Sequence, residues 1–93
     1  MEQNEISVHQ VRIASCLRDS GIWMTNADIA KAANVSKRTA RLHTHRLTQL
    51  GLLDQADVYP GHRFRWSNKA DKRNTAYLQR LERAFEAFNM TAA

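Results

Sequence analysis

Apolar positions along the 93-residue chain change their spacing several times, and each change marks a new element. Ile6, Ile13 and Leu17 fall on one side of a helix over residues 4–20, with Val11 and Ala14 widening the stripe, and Gly21 supplies a left-handed stop. Ile22, Trp23 and Met24 are too few for a helix and read as a brief strand or extended connector. Thr25-Asn26-Ala27-Asp28 has the form of a capping box, and Ala27, Ile29, Ala30, Ala32 and Ala33 make the helix behind it a small-residue one that ends near Asn34. Ser36 then caps a helix over residues 36–50, with Gly51 as its stop. On that helix Ala40, His43, Thr44, Leu47 and Leu50 share the inward side, while Lys37, Arg38, Arg41, Leu42 and His45 point outward.

Beyond Gly51 the period shortens to two. Residues 52–58 and 63–67 read as strands joined by Tyr59-Pro60-Gly61-His62, where Pro presets the first central dihedral of a type II turn and Gly the positive φ of the second. In the second strand Phe64 and Trp66 alternate with Arg63 and Arg65, so the aromatic pair is expected to cover the core and the arginines to face outward. A polar, basic connector over 68–74 leads to a last helix over 75–89. There Leu78, Leu81, Phe85 and Phe88 recur at spacings of three, four and three, flanked by Tyr77 and Ala84, and residues 90–93 are expected to fray.

Four helical stretches and one hairpin in a chain of this length imply one small, mainly α domain of the α+β kind, spanning 1–93. The apolar fraction of 43% and charged fraction of 25% are ordinary for a globular protein. No apolar run approaches the roughly 18–20 residues of a membrane span, and none follows the N-terminus as in a signal peptide. Cys16, the only cysteine, excludes an internal disulfide and a cysteine-rich zinc site; it reads as a small buried hydrophobe in a reducing, cytoplasmic setting. Trp23 and Trp66 read as core anchors.

Charge sharpens this picture because it is uneven. Residues 36–73 hold nine basic and three acidic residues, a net of +6, whereas the remainder nets −1. Such a concentration suits a polyanion partner, although a basic solvated surface has the same composition.

The order Thr25-x-x-x-Ile29-Ala30-x-x-Ala33-x-Val35-Ser36 lets two helices cross steeply over a short turn, with alanines at the crossing point and Val35 buried in the turn. Residues 23–66 resemble the winged helix-turn-helix of ArsR- and MarR-like bacterial regulators. Thr25 to Ala30 is similar to their T-x-x-[DE]-[IL]-A opening, Val35 to Ala40 to their V-S-x-x-T-V helix start, and Leu47 to Leu53 to their L-x-x-x-G-L-[VIL] passage into the wing. The resemblance implies a helix-turn-helix over 25–51, a wing over 52–67 and an extra C-terminal helix. It also implies a regulator that binds double-stranded DNA with helix 36–50 in the major groove and the wing on the backbone or minor groove. The residues so implicated are Ser36, Lys37, Arg38, Thr39, Arg41, Leu42, His45 and Arg46, with His62, Arg63 and Arg65 of the wing. Ser36 and the first-turn amides suit a phosphate, Arg38 and Arg41 guanine edges, and Leu42 a thymine methyl. Two positions depart from the pattern. Thr44 stands where a core Leu or Val is usual, so the helix either packs loosely or bonds this hydroxyl to the preceding turn. Leu42 is apolar where a polar residue is commoner.

The last stripe, Tyr77, Leu78, Leu81, Ala84, Phe85 and Phe88, either docks within the chain or pairs two copies. Pairing is the expectation, because a homodimer sets two recognition helices on a palindromic operator. His43 and His45, at i and i+2, point apart and do not form a metal site. No Ser/His/Asp order, carboxylate pair or phosphate loop suggests an enzyme, and no cofactor or small-molecule effector is implied. Other readings are a plasmid or phage replication, partition or recombination accessory factor, and a winged-helix module that binds protein or RNA.

Overall fold

The computed structural model describes residues 7–58 and 61–92, at the level of backbone alone for 58, 71 and 88–92. Residues 4–6 of the expected first helix and Tyr59-Pro60 of the expected turn lie outside that range. Ser7 caps the first helix, α1 (Val8–Ser20), its hydroxyl oxygen accepting the Gln10 amide at 3.1 Å. Val11, Ile13, Ala14 and Leu17 enter the core, and Gly21 at φ 64° ends the helix.

The capping box of α2 (Asn26–Ala33) is reciprocal: the Asp28 amide donates to Thr25 Oγ1 at 3.1 Å and the Thr25 amide to Asp28 Oδ2 at 3.2 Å. Asn34 takes the left-handed conformation at φ 58°, and half-buried Val35 fills the turn. Ser36 caps α3 (Lys37–Gln49) by accepting the Thr39 amide at 3.0 Å. Ala30, Ala33 and Ala40 are buried in the common core, so no bulky side chain separates the crossing helices.

Thr44 resolves the first departure from the pattern. It is fully buried, and its hydroxyl is directed to Asn26 Oδ1 at 2.8 Å, with the Arg41 carbonyl oxygen at 3.1 Å as its second acceptor. The bond to the preceding turn is therefore present. A second bond, to the first residue of α2, helps fix the angle at which α3 projects.

Gly51 ends α3 at φ 85°, and a Cβ built there would lie 2.9 Å from Arg73 Cβ. Two penalties therefore attach to Gly51→Ala, a left-handed backbone costing about 1–2 kcal/mol and a contact that forces Arg73 to move. Gly21→Ala carries the first alone, since nothing lies within 4 Å of its Cβ position. Urea denaturation of both variants is expected to show the larger loss at Gly51; equal losses would mean that Arg73 yields freely.

Strands β1 (Leu53–Val58) and β2 (Gly61–Trp66) pair antiparallel, from Leu53↔Trp66 at the base to Val58↔Gly61 at the tip. Gly61 thus corrects the expected turn. Strand β2 begins two residues earlier than the pattern predicts, so Gly61 is a strand residue opposite Val58 and has no positive φ. Met24 adds a short third edge, exchanging two 2.8 Å backbone hydrogen bonds with Phe64. The connector contains a single turn of helix, α4 (Ala70–Arg73), whose Ala70 is buried.

The final helix, α5 (Thr75–Ala92), extends to residue 92; residue 93 of the segment expected to fray lies outside the described residues. Its apolar stripe packs within the chain: Leu81, Phe85 and Tyr77 are buried, and Leu78 and Ala84 pack half-buried against the core. Tyr77 donates its hydroxyl to Gln10 Oε1 of α1 at 2.7 Å, and the Arg18 guanidinium stacks 4.1 Å from the Phe85 ring centre. The stripe is satisfied in cis, because α1 offers it a ready apolar face. The Phe88 side chain is outside the described set.

Candidate nucleic-acid interface

Helix α3 turns Ala40, His43, Thr44 and Leu47 inward. Lys37, Arg38, Arg41, Leu42, His45 and Arg46 are left exposed, with Ser36 at the open N-terminus. Thr39 is half-buried, its amide and hydroxyl both engaged by Ser36. Facing this helix across a cleft of about 720 Å³ is the hairpin: Lys37, Arg41, Thr44 and His45 form one wall, Gln55, His62 and Arg63 the other, and Thr25 and Asn26 at the head of α2 also line it.

The cations differ in how they are held. Arg65 and Arg73 share Asp54, at 3.6 and 3.4 Å. Among the described residues no carboxylate pairs with Lys37, Arg38, Arg41, Arg46 or Arg63. Guanidinium groups concentrated on one side without counter-charges leave a positive potential for an anionic ligand to neutralise.

Two expected wing contacts change character. Arg65 lies one pair from the base of the hairpin, half-buried, with its guanidinium 4.4 Å from the Trp23 ring centre as well as near Asp54. It fastens the wing to the body and does not line the cleft. Trp23 in turn is exposed rather than a core anchor, because its ring forms the shelf under Arg65; Trp66 packs half-buried against the core. His62 Nδ1 lies 2.7 Å from Asp57 Oδ1, so its Nδ1–H is directed at the carboxylate. Hydrogen bonds from Gln55 and His62 hold the Asp57 carboxyl below its ordinary range. Arg63 is the wing cation without such a partner among the described residues.

Sequence reasoning passed over Asn26 and Gln55. The signal for Asn26 was Thr44, a polar residue at an inward position, which requires an acceptor nearby. Gln55 bridges to Asp57 Oδ1 at 3.0 Å, a link that depends on strand register.

His43 and His45 diverge as expected, one inward and one outward. His43 is 6% exposed and its Nδ1 has no hydrogen-bond partner among the described residues. Burial, then the positive charge of Arg46 and the neighbouring His9, push its pKa below the ordinary value. A histidine whose folded pKa lies below its unfolded value of about 6.5 adds stability above that pH and loses it as pH falls toward the folded value. The urea midpoint is therefore expected to drop between pH 7.5 and 5.5, and to drop less in His43→Leu; parallel losses would locate the titration elsewhere. Burial, helped by Asp19, also raises the Cys16 thiol, keeping it protonated and unreactive at neutral pH.

No protein-family model matches the chain, and no curated protein sequence does. Solved structures match its shape. ST1889 of Sulfolobus tokodaii aligns at TM-score 0.68 and 17% identity, over 92% of this chain and 86% of its own. BpsR of Bordetella bronchiseptica, whose DNA binding is regulated by 6-hydroxynicotinic acid, aligns at 0.62 and 16%, over 87% and 61%. A MarR family protein of Bacillus stearothermophilus aligns at 0.58 and 16%, over 94% and 62%. The chain has a MarR-like winged helix-turn-helix fold.

Within that fold α2 and α3 take the place of the helix-turn-helix and β1–β2 that of the wing. The chain spans about three fifths of BpsR and of the Bacillus stearothermophilus protein. Among the described residues no helix is long and apolar enough to cross a membrane.

Proposed function

We propose that the protein is a transcriptional regulator that binds double-stranded DNA in a sequence-specific way, with α3 in the major groove and Arg63 of the wing on the backbone or minor groove. The observation carrying this reading is a set of cations with no carboxylate partner among the described residues: Lys37, Arg41 and Arg63 around one cleft, and Arg38 beside them on the outward face of the capped helix. Lysine and arginine supply affinity by neutralising phosphates, and bidentate arginine contacts to guanine supply selectivity. Binding rather than catalysis is the role.

A homodimer on a palindromic site belongs to the proposal, since one α3 spans few base pairs and a two-fold pair doubles the sequence read. The surface joining the copies lies away from Tyr77, Leu81 and Phe85, which the fold has already covered.

Selection of duplexes from a random pool, followed by fluorescence anisotropy across a salt series, tests the function. One enriched palindrome and a steep decline of affinity with salt are expected. Equal affinity for unrelated duplexes favours an accessory factor of replication, partition or recombination, and absence of binding favours a protein- or RNA-directed module.

A further inference from the structure

Leu42 is 48% exposed, although four positions of the same helix are buried in the core. Residues three and four apart are neighbours on a helix surface, so Arg38, Arg41, Leu42 and His45 form one compact patch. Leu42 is therefore an apolar island among cations. It does not line the cleft toward the wing, whose α3 wall is Lys37, Arg41, Thr44 and His45. Together with Arg38 it occupies the outer crest of the helix, outside the core cluster, where the exposed half of the side chain is removed from water only by a partner.

The partner proposed above displays few apolar groups. In the major groove every base pair offers hydrogen-bonding edges, but the exposed apolar group is the C5 methyl of thymine. Pressing Leu42 against a polar edge strips water from a donor or acceptor without replacing its bond. Against a C5 methyl it buries apolar surface on both sides. Four residues separate Leu42 from Arg38, about 6 Å along the axis and roughly two base-pair steps of duplex.

We infer that Leu42 is a specificity residue that reads a pyrimidine C5 methyl group in the major groove, about two base-pair steps from the base engaged by Arg38. The inference rests on the DNA-reading function proposed above. Thymine is the source of that methyl in unmodified DNA, and 5-methylcytosine is the other.

The probe is the duplex enriched from an unmodified random pool. Each of its thymines is replaced singly by deoxyuridine, which removes the methyl and leaves the hydrogen-bonding edge. At one position per recognition helix the parent protein is expected to bind about fourfold more weakly, the scale of one buried methyl group. Leu42→Ala, a substitution at an exposed site by a strong helix former, is expected to show no change there. At the same position 5-methylcytosine is expected to bind the parent about fourfold better than cytosine. Gains with both pyrimidines assign recognition to the methyl group itself, and a gain with thymine alone assigns it to thymine. A duplex in which no single deoxyuridine weakens the parent overturns the inference, as does a position that weakens parent and Leu42→Ala equally. Arg41→Ala on the same duplex separates the two levels. If it weakens binding while deoxyuridine is silent, the role of Leu42 alone falls; if it binds like the parent, or no duplex is enriched, DNA reading falls too.

Discussion

Leu81→Ala is expected to destabilise the domain by about 3 kcal/mol, within the range for truncating a buried leucine to alanine. Leu81 has no exposed surface and belongs to the same cluster as Ile13 and Leu17 of α1, so the lost carbons leave a cavity between the first and last helices. Against a total stability of about 5–15 kcal/mol for a typical domain, that is a large share, and it corresponds to a melting temperature lower by about 12–24 °C. The dependence on concentration tells where the contact is made. A loss within one chain is the same at all protein concentrations, whereas a loss across a dimer grows on dilution. Differential scanning calorimetry over a hundredfold concentration range is expected to show a constant deficit. A variant that keeps its melting temperature while its mass in sedimentation falls by half would return the stripe to an interface between copies.

The double meaning of that stripe shows where sequence pattern ends. Spacings of three and four state that Leu78, Leu81 and Phe85 need a cover, but α1 and a second copy meet the need equally well by pattern alone. Tyr77 held the discriminating clue, because a buried phenol requires an acceptor, and Gln10 supplies it from 67 positions away. Local chemistry was legible. Caps at Thr25 and Ser36 and stops at Gly21, Asn34 and Gly51 depend on groups within a few residues, and each forms where the pattern places it. Gly61 misled because Pro-Gly is a strong turn signal, while register is set by the whole ladder.

Burial of large aromatic and cationic side chains was less legible. Trp23 follows Ile22 at the end of a helix and has the composition of a core residue. What covers its ring is not the core but Arg65, which arrives over it only when the hairpin folds back along Met24. Arg63 and Arg65 likewise look equivalent in an alternating strand. Asp54, directly across the ladder from Arg65, neutralises one of them and leaves the other for a ligand. The candidate interface was thus legible as a region, and the roles of its members depended on cross-strand partners.

Arg41→Ala is expected to weaken binding to the selected duplex by about 5- to 150-fold, the equivalent of one bidentate guanine contact. Arg41 is the arginine of the outward face that also lines the cleft, exposed and without a carboxylate partner among the described residues. Its loss costs the fold little, since the side chain is in water and alanine favours helix. Specificity and charge are separable here. If Arg41 reads a base, Arg41→Ala relaxes the preference at one base pair of each half-site. If it holds a phosphate, affinity falls for all duplexes alike, and the slope of log affinity against log salt becomes shallower by about one unit. Arg65→Ala is the internal comparison, because that guanidinium is already engaged by Asp54 and Trp23. Its variant is expected to lose stability and change tryptophan emission while keeping the parent's salt slope. Equal loss of affinity in Arg65→Ala and Arg41→Ala, at equal stability, would remove the distinction between a wing anchor and a DNA reader.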